Sequence, residues 1–123
     1  MGEEVRFEIG NKAEQLYFSV FDVTTVRQHY PVRYRRIADK LQELSLNIHG
    51  YLLDANAYVP DSAEGNKAKR IEKQTLAITK CNEFLSLVKY SLHANLISAA
   101  MSEQWTGLAY DIKHMTLAWR KKT

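Results

Sequence analysis

Apolar residues recur along this chain at alternating spacings of three and four, and little interrupts them. Ile37, Leu41, Leu44, Ile48, Tyr51 and Ala55 keep that rhythm, and Met101, Trp105, Leu108, Ile112, Met115 and Trp119 repeat it. Such spacing lays one apolar stripe along an α-helix and does not match the every-second-residue alternation of a strand. Further along, Ile71, Ile78, Leu85 and Leu92 recur every seventh residue, with Gln74, Cys81 and Val88 between them. The chain has only two prolines and five glycines in 123 residues, so its breaks are few and readable. Tyr30-Pro31 is the first, because proline pushes the preceding residue out of helical conformation. The turn formers from Val59-Pro60-Asp61 to Gly65-Asn66 are the second. The third is Asn95-Leu96-Ile97-Ser98, where Ser98 is placed to cap the helix that follows.

The intervals between breaks predict four helices, near residues 11–28, 32–58, 66–95 and 99–121. Short connections favour an all-α fold, an up-down-up-down antiparallel four-helix bundle, with residues 11–122 as a single domain. Residues 1–10, MGEEVRFEIG, read as a flexible acidic leader. Val5–Ile9 alternates as a strand would, over too short a stretch to form one. The first helix differs from the rest. Leu16, Val20 and Val23 make one stripe, while Tyr17, Phe18, Phe21 and Val26 spread apolar surface onto a second side. A helix apolar on two sides is expected to be buried on both. In a chain of 14.2 kDa the second side is expected to meet another copy, which makes Tyr17, Phe18 and Phe21 the predicted oligomer interface. Phe84, Leu87, Leu46 and Leu53 also lie off their helices' main stripes, in line with an oligomer.

With 46% hydrophobic and 25% charged residues, the chain has a globular composition rather than a disordered one. No apolar run approaches the roughly 20 residues that span a bilayer, and the acidic N-terminus lacks the apolar region of a secretory signal. The single cysteine, Cys81, excludes an internal disulfide and a cysteine-based zinc site, so a cytoplasmic protein is expected. No phosphate-binding glycine loop and no nucleophile elbow occurs, so no catalytic residue and no cofactor are predicted, and the chain reads as a non-enzyme. Bundles that hold two irons use Glu-x-x-His pairs on facing helices. Here only Asp111 stands three before a histidine, His114, and the two are expected to be a solvated surface pair with no metal. His49 is expected in the core or an interface, His29 and His93 near helix ends, and Cys81 as an inert small hydrophobe.

Charge is unevenly placed. Residues 1–26 carry two basic and five acidic side chains, a balance of −3, and residues 27–123 carry 15 basic and nine acidic, a balance of +6. An antiparallel bundle gathers the basic residues at its two poles. Arg27, Arg33, Arg35, Arg36 and Lys40 belong to the first; Lys67, Lys69, Arg70, Lys73, Arg120, Lys121 and Lys122 belong to the opposite one. Cations at the ends of helices 1 and 4 suit the helix dipole, whereas those at the starts of helices 2 and 3 oppose it. Helix stability therefore does not explain Arg33, Arg35, Arg36, Lys67, Lys69 and Arg70. A polyanionic partner does, either the phosphates of a nucleic acid or an acidic protein surface. Tyr30 and Tyr34 flank the first group and are the stacking candidates for a single strand, while Trp105, Trp119 and Tyr51 are expected in the core.

Tyr30-Pro31-Val32-Arg33-Tyr34-Arg35, followed by Ile37-Ala38-Asp39-Lys40-Leu41-Gln42-Glu43-Leu44 and closing on Leu52-Leu53-Asp54-Ala55-Asn56, resembles a known segment. It is similar to the join of helices 1 and 2 in the accessory variability determinant (Avd) proteins of diversity-generating retroelements. These group with the four-helix-bundle proteins encoded in 23S rRNA intervening sequences. Leu96-Ile97-Ser98, Trp105 and Ala118-Trp119 look like the last helix of the Avd-like branch. The intervening-sequence branch carries Asn-Ile-Ala-Glu-Gly in helix 2, where this chain has Asn47-Ile48-His49-Gly50, which favours the Avd-like side. The resemblance implies a homopentamer around a basic channel, partnered with a reverse transcriptase and its template RNA. It implies no catalytic residue. The expected function is therefore a non-enzymatic RNA-binding accessory protein, with an oligomeric protein–protein scaffold that binds no nucleic acid as the alternative.

Overall fold

The computed structural model describes the backbone of residues 2–123 and the side chains from Glu8 onward. Its helices are α1 (Gly2–Thr24), α2 (Arg35–Ala57), α3 (Asn66–His93) and α4 (Ala99–Lys122), and a 3₁₀ turn (Val32–Tyr34) leads into α2. Among the described residues there is no strand. The helices pack in a closed square, α1 on α2, α2 on α3, α3 on α4 and α4 on α1. Every neighbouring pair runs antiparallel. Thr24 meets Gln42 where Tyr17 meets His49. Arg70 meets Ala55 where Lys73 meets Tyr51. Gln74 meets Thr123 where Phe84 meets Trp105, and Lys12 meets Asp111 where Ser19 meets Trp105. The expected up-down-up-down four-helix bundle is what the chain forms.

The connections lie at the predicted breaks, each for a local reason. After α3 the backbone turns at Asn95, whose φ of 60° is left-handed, a conformation asparagine tolerates. Leu96 N–H then donates to Ser91 O (2.8 Å) and Asn95 N–H to Leu92 O (3.0 Å), which occupies two carbonyls of the last turn. Ser98 caps α4, its hydroxyl accepting from Met101 N–H at 3.0 Å. Between α2 and α3, Asn66 Nδ2 donates back to Val59 O (2.9 Å) and to Ser62 Oγ (3.1 Å). Gly65 opens α3 with φ 85°, where a side chain would be strained.

Two boundaries correct the sequence reading. Helix α1 begins at Gly2 rather than near residue 11, so the expected flexible leader is helical from Gly2 onward. Ile9 is fully buried, and with Ala13, Leu16 and Val20 it carries the spacing of four, three, four back into the acidic segment. Helix α1 also ends earlier than expected, at Thr24. On α3 the buried face runs through Arg70, Gln74, Ala77, Ile78, Cys81, Phe84, Val88 and Ser91. Phe84 is therefore core and no mark of an interface, while Ile71 and Leu85 sit at its margin and Leu92 is exposed. The stripes read on α2 and α4 hold: Leu41, Leu44, Ile48, Ala55, Trp105, Ile112 and Trp119 are all buried. Cys81 is fully buried, and its thiol is pushed up to about 12 by loss of solvation, so it stays protonated and unreactive at neutral pH.

Candidate nucleic-acid interface

The first pole is built where α1 gives way to α2. Thr24 and Thr25 hydroxyls donate to Val20 O (2.6 Å) and Phe21 O (2.8 Å), tying off the last turn of α1. Tyr30 N–H then donates to Val26 O (3.1 Å), and the Tyr30 ring is buried in the core, where desolvation pushes its phenol up. Tyr30 is therefore no stacking platform. Pro31 sets the 3₁₀ turn, closed by Tyr34 N–H on Pro31 O at 2.8 Å. Neither this turn nor α2 has a side-chain cap or an acid in its first turn. Arginines stand there instead.

Arg27, Arg33, Arg35, Arg36 and Lys40 are all exposed at this pole. Among the described residues none of the four arginines joins an ion pair, while Lys40 pairs with Glu43 at 3.7 Å. The group is divided. Arg33 lies on the 3₁₀ turn, its guanidinium 5.2 Å from the half-buried Tyr34 ring, and Arg36 and Lys40 follow on α2. Arg27 and Arg35 instead line a cleft of about 250 Å³. Thr24 and Thr25 wall it from α1 and its end, and Asp39 and Gln42 from α2. Gln42 Nε2 donates to Thr24 Oγ1 at 2.8 Å, which fixes the two walls together.

At the opposite pole two lysines rest on aromatic rings, as Arg33 does at the first. Lys69 Nζ lies 5.5 Å from the Tyr58 ring and Lys73 Nζ 5.7 Å from Tyr51. Arg120 Nη1 donates to Thr75 Oγ1 at 3.0 Å. Arg70, expected among the nucleic-acid contacts, is 5% exposed and belongs to the interior. Its Nε donates to Ala55 O (2.9 Å) and its Nη2 to Asn56 O (3.4 Å), closing the C-terminus of α2, and its guanidinium lies 5.3 Å from the Trp119 ring. A cation at that end of a helix is favoured by the dipole. Seen from α3 alone Arg70 opposes its own helix; the helix it serves is α2. Lys67, Lys121 and Lys122 remain exposed.

The second apolar side of α1 lies next to α2. Tyr17 and Phe21 are half-buried, and Tyr17 packs edge-on to Phe18 (4.7 Å) and against His49 (5.2 Å). Phe18 is 52% exposed, and on α2 Leu46 and Leu53 are 45% and 52% exposed. Asp111 and His114 are both exposed, but they are not a pair: Asp111 meets Lys12 Nζ at 3.5 Å, and His114 stacks on Tyr110 at 5.9 Å. Among the described residues no three His, Cys, Asp or Glu side chains come together to hold a metal ion. Nor, among them, is any helix long and apolar enough to cross a membrane. Comparison with family models, curated proteins and solved structures finds no match to this chain.

Proposed function

We propose that the protein is a non-enzymatic accessory subunit that binds RNA through its first pole and assembles with copies of itself. One observation supports this most. Arg33, Arg35 and Arg36 crowd the start of a helix that has neither an acid nor a side-chain cap there, Arg27 joins them from beyond the end of α1, and none of the four is neutralised by a described carboxylate. Three unneutralised guanidinium groups where the dipole is already positive destabilise the subunit, and phosphates would relieve them. The second pole is the poorer candidate, since Arg70 is withdrawn into the fold and Arg120 already donates to Thr75. The resemblance to the Avd-like proteins supplies the context of this reading: a homopentamer, a reverse transcriptase as protein partner, and its template as the RNA. Contacts of this type hold the phosphate backbone and give affinity without base specificity.

Binding to single-stranded RNA is expected to weaken steeply with salt. Replacing Arg33 and Arg36 together with glutamine should lower the log–log slope by about 1.4 units, at about 0.7 per lost phosphate contact, for unrelated RNA sequences alike. An unchanged slope, with binding lost instead on changing Lys67 and Lys69, would move the site to the other pole. Tight binding to an acidic protein with none to RNA would favour the scaffold reading.

The exposed Phe18, Leu46 and Leu53, beside Tyr17 and Phe21, are the proposed contact between copies. Phe18→Glu should leave each subunit folded, because that ring is half in solvent, and should bring the particle mass down to 14 kDa by light scattering. A native protein that is already a monomer at micromolar concentration would refute the assembly.

A further inference from the structure

The cleft of the first pole carries an inference that rests on the reading of that pole as an RNA site. At about 250 Å³ it falls below the roughly 300–1,000 Å³ of pockets that enclose drug-sized ligands, so it suits one small polar unit rather than a run of nucleotides. Its chemistry is graded. Arg27 and Arg35 line it, both exposed and without a described ion partner. Asp39 lies one turn further along α2 from Arg35, about 6 Å along the axis, and Gln42 nearly another turn on. Arg35 and Asp39 stand at the spacing that lets side chains pair, yet they do not come within ion-pair distance. Both charges therefore remain available to something between them.

A bare phosphate would fit the arginines but be repelled by Asp39. A sugar phosphate satisfies both ends: the phosphate accepts from Arg27 and Arg35, and a hydroxyl of the sugar donates to the Asp39 carboxylate. We infer that this cleft holds one ribose-phosphate unit, with Asp39 accepting from the ribose 2′-hydroxyl, so that the protein distinguishes RNA from DNA. The 2′-hydroxyl is the group by which such a choice is made, and an ionised carboxylate is a strong acceptor for it. An RNA chain and a free ribonucleotide both present this chemistry.

The test is fluorescence anisotropy on the native protein with a short single-stranded RNA and the DNA of the same base sequence. RNA should bind at least about tenfold more tightly, the scale of one hydrogen bond to a charged group. Asp39→Ala should bring the RNA-to-DNA ratio to about one while keeping the salt slope, and circular dichroism should match the native protein because Asp39 is exposed. Adenosine monophosphate should displace the RNA better than its 2′-deoxy form. Displacement only at concentrations far above that of the RNA identifies the RNA chain as the occupant, and displacement at equal concentration identifies the free nucleotide. Equal RNA and DNA affinities with a steep salt slope would overturn this inference and leave the proposed function standing. Absence of binding to either would overturn both. A preference that survives Asp39→Ala, or equal displacement by the two monophosphates, would overturn the inference alone.

Discussion

Trp105→Ala is expected to cost about 4 kcal/mol of stability and to lower the midpoint of thermal unfolding by about 15 °C. Trp105 is fully buried on α4, with its ring 6.2 Å from that of Phe84 on α3. Its indole Nε1 donates to Ser19 Oγ on α1 at 2.8 Å, so one side chain ties three helices together. Truncation to alanine removes the ring, leaves a cavity the neighbouring helices cannot fill, and takes away the donor. Trp105→Phe separates these effects. It keeps most of the volume and loses the hydrogen bond, so it should cost about 1–2 kcal/mol. Denaturant unfolding of both variants, at one protein concentration, is the measurement. A loss below about 1 kcal/mol for Trp105→Ala would mean that the core is not centred there.

The second large effect is expected at Arg70. Arg70→Ala should cost about 3 kcal/mol, combining charge-assisted hydrogen bonds with a desolvated contact on Trp119. Arg70→Lys keeps the charge but not the planar fork that reaches Ala55 O and Asn56 O, and should recover less than half. The salt slope of RNA binding should not change in either variant, in contrast to Arg33 and Arg36. A stable Arg70→Ala protein with a flattened slope would return Arg70 to the nucleic-acid surface.

The four helices could be read from the chain because their breaks are local. Pro31, the turn formers before Asn66, and Ser98 act on their immediate neighbours, and the structure uses each of them where it stands. The stripes of α2 and α4 were legible because most of their buried positions are apolar, with Ser45, Ser102 and Thr116 the exceptions. Helix α3 was turned in the reading because its buried face includes Arg70 and Ser91, which pattern reasoning assigns to solvent. The start of α1 was missed for a related reason. Charge marked the first residues as a leader, although Ile9 continued the spacing of Ala13, Leu16 and Val20 and could have revealed the extension. At the first pole the arginines were visible as a cluster. Their division between Arg33 and Arg36 on one side and the cleft of Arg27, Arg35 and Asp39 on the other depends on how two segments meet across a turn. No spacing within one segment encodes that.

The seam between α1 and α4 has a kinetic consequence. The other three seams join helices that are consecutive in the chain, so each can zip up from its own turn. The fourth joins Ser19 to Trp105, 86 positions apart, and Lys12 to Asp111. Closing so large a loop adds an entropic cost that grows only logarithmically with its length, but it is met before any contact of that seam is gained. The three consecutive seams can therefore form first, with the α1–α4 seam closing last. Weakening that seam, as at Ser19, should raise the rate of unfolding and leave refolding nearly as fast as before.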